Sequence, residues 1–253
     1  MKPILVANWK NHPDSLARAA TIVTGLSKKA ATYKKLATYI APPLPYFETV
    51  GKKIKGFGNL ASQDIFFAAE GTYTGAVTPD ILKSFGVKLS IIGHSERRAL
   101  GETNEVAADK IKCALRSGVT PLLCVGEKDR DPEGEHFEFI REELRLSLEG
   151  VRRKDDAGKL IIAYEPVWAI GKRSKEAMQP TDLAQMVIFI KKVLTDIFGR
   201  ESAETIPILY GGSVEGDNAR ALLETGINGF LIGHASLDPK MFSDIALALE
   251  THA

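Results

Sequence analysis

The chain has 253 residues, 44% of them hydrophobic and 26% charged, enough apolar content for a sizeable core. Thirty-three basic residues against 32 acidic ones leave a formal charge of +1, so no basic face for nucleic acid and no polybasic helix for a membrane surface is implied. No segment approaches membrane-spanning length and the apolar run before Asn8 is too short for a signal peptide; with Cys113 and Cys124 unpaired in their spacing, the expected setting is reduced and cytoplasmic.

Short apolar runs recur along the chain, each stopping at polar or glycine-bearing residues. They are Ile4–Ala7, Ala37–Ala41, Gly58–Ala61, Leu89–Gly93, Thr120–Val125, Leu160–Ala163, Pro207–Tyr210 and Gly229–Ile232. Such runs read as strands buried on both faces. Amphipathic helix patterns lie between them, opened by Asp14-Ser15, Thr78-Pro79, Thr103-Asn104, Thr181-Asp182, Asp217 and Asp238-Pro239. These are capping residues, several with proline at the first helical position. A charged stretch at Glu138–Leu148 adds another helix, and Pro45–Ile54 is the weakest pattern. Strand alternating with helix eight times predicts a parallel sheet with right-handed crossovers. At this length it predicts closure into one (β/α)₈ barrel domain spanning 1–253. The other arrangement, an open doubly wound sheet, lacks a G-x-G-x-x-G turn after the first strand.

A barrel of this kind builds its site at the C-terminal strand ends. Those ends carry Asn8 and Lys10, Gln63, His94 and Glu96, Glu127, Glu165, Gly211-Gly212-Ser213, and Gly233-His234. Singly each has an ordinary reading: a solvated lysine, a structural histidine, a strand-end ion pair, a surface turn. Closure places them around one opening. The two glycine turns precede helix starts, whose free N–H groups bind anions, so a small phosphorylated substrate is implied. Gly171 offers a further N–H from a flap that begins at Pro166 and continues into the polar run Lys172–Glu176. No Walker sequence and no metal-ligand spacing is present. Glu165, His94 and Lys10 therefore point to proton transfer beside a carbonyl without metal or organic cofactor. Glu165 moves the proton; His94 and Lys10 supply donors to the enediolate. The helix start at Ser95-Glu96-Arg97 disfavours imidazolium, so His94 is expected to act as a neutral donor.

Four stretches carry a resemblance. Ala7-Asn8-Trp9-Lys10, Ile92–Arg98, Ala163–Gly171 and Tyr210–Val214 resemble, in order, the signature segments of the triosephosphate isomerase family. The resemblance implies Glu165 as base and His94 as electrophile, a pairing established for that family. It implies substrate contacts from Asn8 and Lys10, support from Glu96, and a phosphate held by backbone at Gly171, Ser213, Gly233 and His234. It also implies cofactor-free interconversion of dihydroxyacetone phosphate and glyceraldehyde 3-phosphate by a homodimer. The loop Tyr73–Ala76 would reach the partner's site, with Thr74 crossing over.

Three positions depart from the family pattern. His234 replaces a usual glycine and is expected to bring an imidazole near the phosphate; the residue type visits positive φ more readily than most. The flap tip, Lys172-Arg173-Ser174, is about one residue longer, ahead of a Lys175-Glu176-Ala177 hinge expected to allow closure. Ala76 replaces a usual acid, removing an ion pair expected near Arg97. A related four-carbon sugar phosphate as substrate, or a non-catalytic phosphate-binding barrel, are the competing expectations.

Overall fold

The computed structural model describes residues 1–151, 154–171 and 178–252. Eight parallel strands close into a barrel in strict chain order, each neighbour paired to the next and the last to the first. They are β1 (Ile4–Asn8), β2 (Ala37–Ala41), β3 (Asn59–Ser62), β4 (Leu89–Ile92), β5 (Thr120–Val125), β6 (Ile161–Tyr164), β7 (Ile208–Tyr210) and β8 (Gly229–Ile232). Every strand falls within one residue of its sequence expectation at either end, because an apolar run buried on both faces has no other place in the fold.

The helices are α1 (Leu16–Ser27), α2 (Phe47–Lys53), α3 (Pro79–Ser84), α4 (Ser95–Ala99), α5 (Asn104–Ser117), α6 (Glu135–Ser147), α7 (Lys154–Ala157), α8 (Pro180–Phe198), α9 (Arg200–Thr205), α10 (Ala219–Leu223) and α11 (Pro239–His252). Their start chemistry is mostly as expected. Ser15 and Thr103 accept backbone N–H groups of Arg18 and Val106 at 3.4 and 3.3 Å. Asp238 accepts from Lys240 and Met241 at 2.7 and 3.0 Å.

Three starts differ. α8 begins at Pro180 rather than after Thr181-Asp182, since proline's fixed φ suits the first helical position. The cap of α10 is Asn218, not Asp217. α6 starts at Glu135, three residues early, because Asp131 accepts the N–H groups of Glu135 and His136 at 2.8 and 3.0 Å. Those bonds, that of Glu135 foremost, hold the Asp131 carboxyl well below the usual carboxylate range.

Two apolar shells hold the barrel. The inner one fills the lumen with alternate strand residues, among them Val6, Ile91, Cys124, Ala163, Leu209 and Leu231. The outer one, with Leu5, Trp9, Tyr164, Phe230 and Phe242, packs the strands against the helices. Two residues beyond the inner layer, strand period places Asn8, Glu165, Gly211 and Gly233 on the lumen side at the C-terminal mouth. The β8–β1 seam closes only because position 229 is glycine: a Cβ there would lie 1.8 Å from the Ile4 carbonyl oxygen, at φ +149°. Gly229→Ala should therefore part the seam at a cost of about 3 kcal/mol or more. Thermal melting would show a fall of about 10 °C for a chain of this size; an unchanged midpoint would contradict the packing.

Candidate active site

Position 165 follows β6, and its backbone N–H continues the ladder to Val125 at 2.8 Å. The side chain is thus carried into the mouth, where it is 3% exposed. Two glycines make the space. A Cβ on Gly211 would lie 2.6 Å from Glu165 Cγ, and one on Gly126 would lie 1.8 Å from the Glu165 carbonyl oxygen. Glu165 Oε1 lies 3.3 Å from His94 Nε2, and Oε2 has no geometric hydrogen-bond partner among the described residues. A buried acceptor left open in this way is costly unless function uses it.

His94 reaches the mouth because Gly93 takes φ +70° and turns the chain out of β4. It caps α4: the Glu96 backbone N–H donates to His94 Nδ1 at 3.2 Å. Nδ1 therefore carries the lone pair and Nε2 the proton, which faces Glu165 and the cavity. The helix start thus occupies Nδ1 and leaves Nε2 to the cavity.

Lys10 is the one non-glycine residue in the left-handed region among those described, at φ 52°. Such a backbone persists where its surroundings over-determine it. Its N–H donates to Asn8 Oδ1 at 3.0 Å, and Gln63 Nε2 donates to its carbonyl at 2.6 Å. The ammonium pairs with Glu96 Oε1 at 2.7 Å. Gln63, seen at a strand end in the sequence but given no role, proves to hold Lys10.

The phosphate-type turns lie across the same cavity, whose volume is about 350 Å³ and whose lining includes Asn8, Lys10, His94, Glu165, Gly171, Ser213, Gly233 and His234. The backbone N–H groups of Ser213, Gly233 and His234 have no acceptor among the described residues. His234 is exposed and does not use a left-handed backbone, so the exchange of glycine for histidine needs no such φ. Gly171 does, at φ +75°. The flap tip Lys172-Arg173-Ser174 and the Lys175-Glu176-Ala177 hinge lie outside the described residues.

Glu127 anchors the residues around the end of β6. It accepts from Tyr164 Oη at 2.9 Å and from Trp168 Nε1 at 2.8 Å, and pairs with Arg130 at 3.3 Å, whose guanidinium lies 5.5 Å from the centre of the Trp168 ring. Cys124 sits beneath the base; burial, then the Glu165 carboxylate, push its thiol well above the ordinary range and keep it protonated. Residues 73–76 line a different cavity of about 770 Å³, where the Tyr73 and Phe66 ring centres lie 4.6 Å apart. Arg97, without an acid at position 76, pairs instead with Asp64 at 2.8 Å and Glu102 at 3.5 Å.

The sequence profile of the family described as Triosephosphate isomerase matches residues 3–249. The chain belongs to the triosephosphate isomerase family. It is 39% identical over 247 residues to the triosephosphate isomerase of Geobacter metallireducens, covering 96% of this chain and 97% of that protein. Identity is 38% to the enzyme of Carboxydothermus hydrogenoformans and 36% to that of Thermoanaerobacter pseudethanolicus, again over 96% of this chain and at least 97% of theirs. Gln63, Cys124, Gly126 and Glu127 touch residues of this site in ways that spacing along the chain could not assign.

Behind the base, Glu143 on α6 accepts the Gly126 N–H at 2.8 Å and pairs with Arg98 at 3.1 Å. Burial pushes its carboxyl up from 4.5 to about 7, against the pull of Arg98. A raised folded-state value means stability fully present below the unfolded value and lost as pH rises through the folded one. The advantage of the native chain over Glu143→Gln should shrink between about pH 5 and about pH 8, read from urea midpoints. An advantage constant across that range would contradict the assignment.

Proposed function

We propose that this chain interconverts dihydroxyacetone phosphate and D-glyceraldehyde 3-phosphate by cofactor-independent proton transfer through an enediolate. One observation carries the reading: a buried carboxylate with an open oxygen faces, in one cavity, a neutral imidazole N–H, an ammonium and the free N–H groups of two turns. Binding a phosphate requires only the turns. A base in that position is needed only if a proton is to leave carbon.

Glu165 removes the proton from the carbon beside the carbonyl and returns it to the neighbouring carbon. His94 Nε2–H and Lys10 stabilise the negative oxygen that develops between the two steps. Asn8 holds the Lys10 backbone and contacts substrate, and Glu96 holds the Lys10 ammonium. Backbone at Gly171, Ser213, Gly233 and His234 grips the phosphate. Family membership supports placing the reaction in glycolysis and gluconeogenesis, in the cytoplasm, within one barrel domain. The exposed rings of Phe67 and Tyr73 beside Thr74 support a homodimer in which the Tyr73–Ala76 loop reaches the site of a second copy.

The test is a coupled assay of glyceraldehyde 3-phosphate turnover, with a four-carbon sugar phosphate offered in parallel. The triose should be turned over and preferred, and Glu165→Gln should lower kcat/KM by on the order of 10² to 10⁴ or more. Preference for the four-carbon substrate, or an unaffected Glu165→Gln, would overturn the assignment.

A further inference from the structure

Arg98, on α4, and Glu143, on α6, stand behind the base in a cavity separate from the one that Lys10 and the phosphate-type turns line. Each nevertheless holds the backbone that carries a reacting side chain. Arg98 Nε donates to the Gly93 carbonyl at 2.7 Å, at the residue whose φ of +70° turns His94 into the mouth. Glu143 Oε2 accepts the Gly126 N–H at 2.8 Å. Gly126 lies so close to the Glu165 carbonyl that a Cβ has no room, and the Val125 carbonyl beside it accepts the Glu165 N–H at 2.8 Å. One ion pair, Arg98 Nε to Glu143 Oε1 at 3.1 Å, joins the two grips.

The rest of the guanidinium is occupied as well. Nη1 donates to Asn104 Oδ1 at 2.6 Å, and Nη2 to Ser147 Oγ at 3.3 Å and to the Cys124 carbonyl at 3.4 Å. One planar fork thus ties α4 to the end of β4, to β5, to α5 and to α6, which a single ammonium could not do. Stability does not account for the pair. Burial outweighs the attraction of Arg98 in setting the Glu143 carboxyl, and the Glu165 and Glu127 carboxylates push in the same direction as burial. A buried pair under that penalty is weak support for a fold. What the arrangement provides is a fixed separation between two backbone pivots, Gly93 under His94 and Gly126 under Glu165.

We infer that the Arg98–Glu143 pair is a positioning strut, which sets the approach of His94 Nε2 to Glu165 Oε1 and so acts on proton transfer rather than on substrate binding. The inference rests on the reading of Glu165 as the base. Both are positioning residues, since they reach the reacting groups only through backbone. Misplacing a reacting group by about 1 Å can lower a rate on the order of a hundredfold. The grips fall on the ends of β4 and β5, whereas the turns proposed to hold the phosphate follow β7 and β8.

Steady-state turnover of glyceraldehyde 3-phosphate, with inorganic sulfate as a competing anion, separates the two effects. The assay belongs at about pH 8, where the native chain and Glu143→Gln are expected to differ least in stability. Glutamine also keeps an acceptor for the Gly126 N–H. Glu143→Gln, Arg98→Lys and the double variant should each lower kcat on the order of tenfold, with KM and the sulfate inhibition constant held within about twofold. The double variant should lose no more than the worse single, because the two residues act as one unit. Native kcat in Glu143→Gln, KM and sulfate binding that weaken in step with kcat, or single losses that multiply in the double variant, would overturn the strut. Should Arg98→Lys fail to fold, the kcat and sulfate constant of Glu143→Gln decide alone. Glu165→Gln is the control: if it turns over like the native chain, the base reading fails. If it is impaired while Glu143→Gln keeps the native kcat, only the strut fails.

Discussion

The side-chain alternation of a parallel strand fixes where the lumen ends and the site begins. Ala163 fills the barrel, and the next residue on the same side, two positions on, is Glu165. The same step leads from Val6 to Asn8, from Leu209 to Gly211 and from Leu231 to Gly233. A closed sheet leaves no freedom in this parity, because slipping one strand by a residue would send its lumen side chains into the helix layer. The carboxylate is buried as a consequence of register. Glycine on the neighbouring strand ends then gives it room, since any Cβ at 211 would overlap its side chain.

That burial dictates the surroundings. His94 cannot be both a cap acceptor at Nδ1 and an ordinary imidazolium, so the helix start at Ser95 decides which proton the site has to offer. Lys10 brings a cation to the mouth by way of an uncommon backbone conformation, and three neighbours, Asn8, Gln63 and Glu96, hold it there. On the other side, Glu127 ties Tyr164 and Trp168 to the end of β5.

Much of this was legible in the chain. Apolar runs that stop at polar residues mark the strands, and capping residues with proline at the first helical position mark most helix starts. Convergence of Lys10, His94 and Glu165 follows from closure. What could not be read depends on neighbours far apart in sequence. Glu127 looked like one strand-end acid among several until β5 and β6 came together and delivered Tyr164 and Trp168 to it. Gln63 gained its role only when the closed barrel let it reach, past the end of β2, to the Lys10 carbonyl. The early start of α6 required Asp131 to fold back on two N–H groups, a loop geometry that composition does not announce. Gly126 and Gly229 are indispensable for atoms on adjacent strands, which no local pattern reveals.

The central claim is that Glu165 moves a proton between carbon atoms, and the isotope content of the product tests it most directly. Dihydroxyacetone phosphate would be converted in heavy water and the glyceraldehyde 3-phosphate trapped as it forms. A base that exchanges with solvent during the life of the enediolate should leave deuterium on the carbon next to the aldehyde. Product without deuterium at that carbon, formed at an undiminished rate by Glu165→Gln as well, would show the hydrogen moving without the carboxylate, and would contradict the role assigned to Glu165.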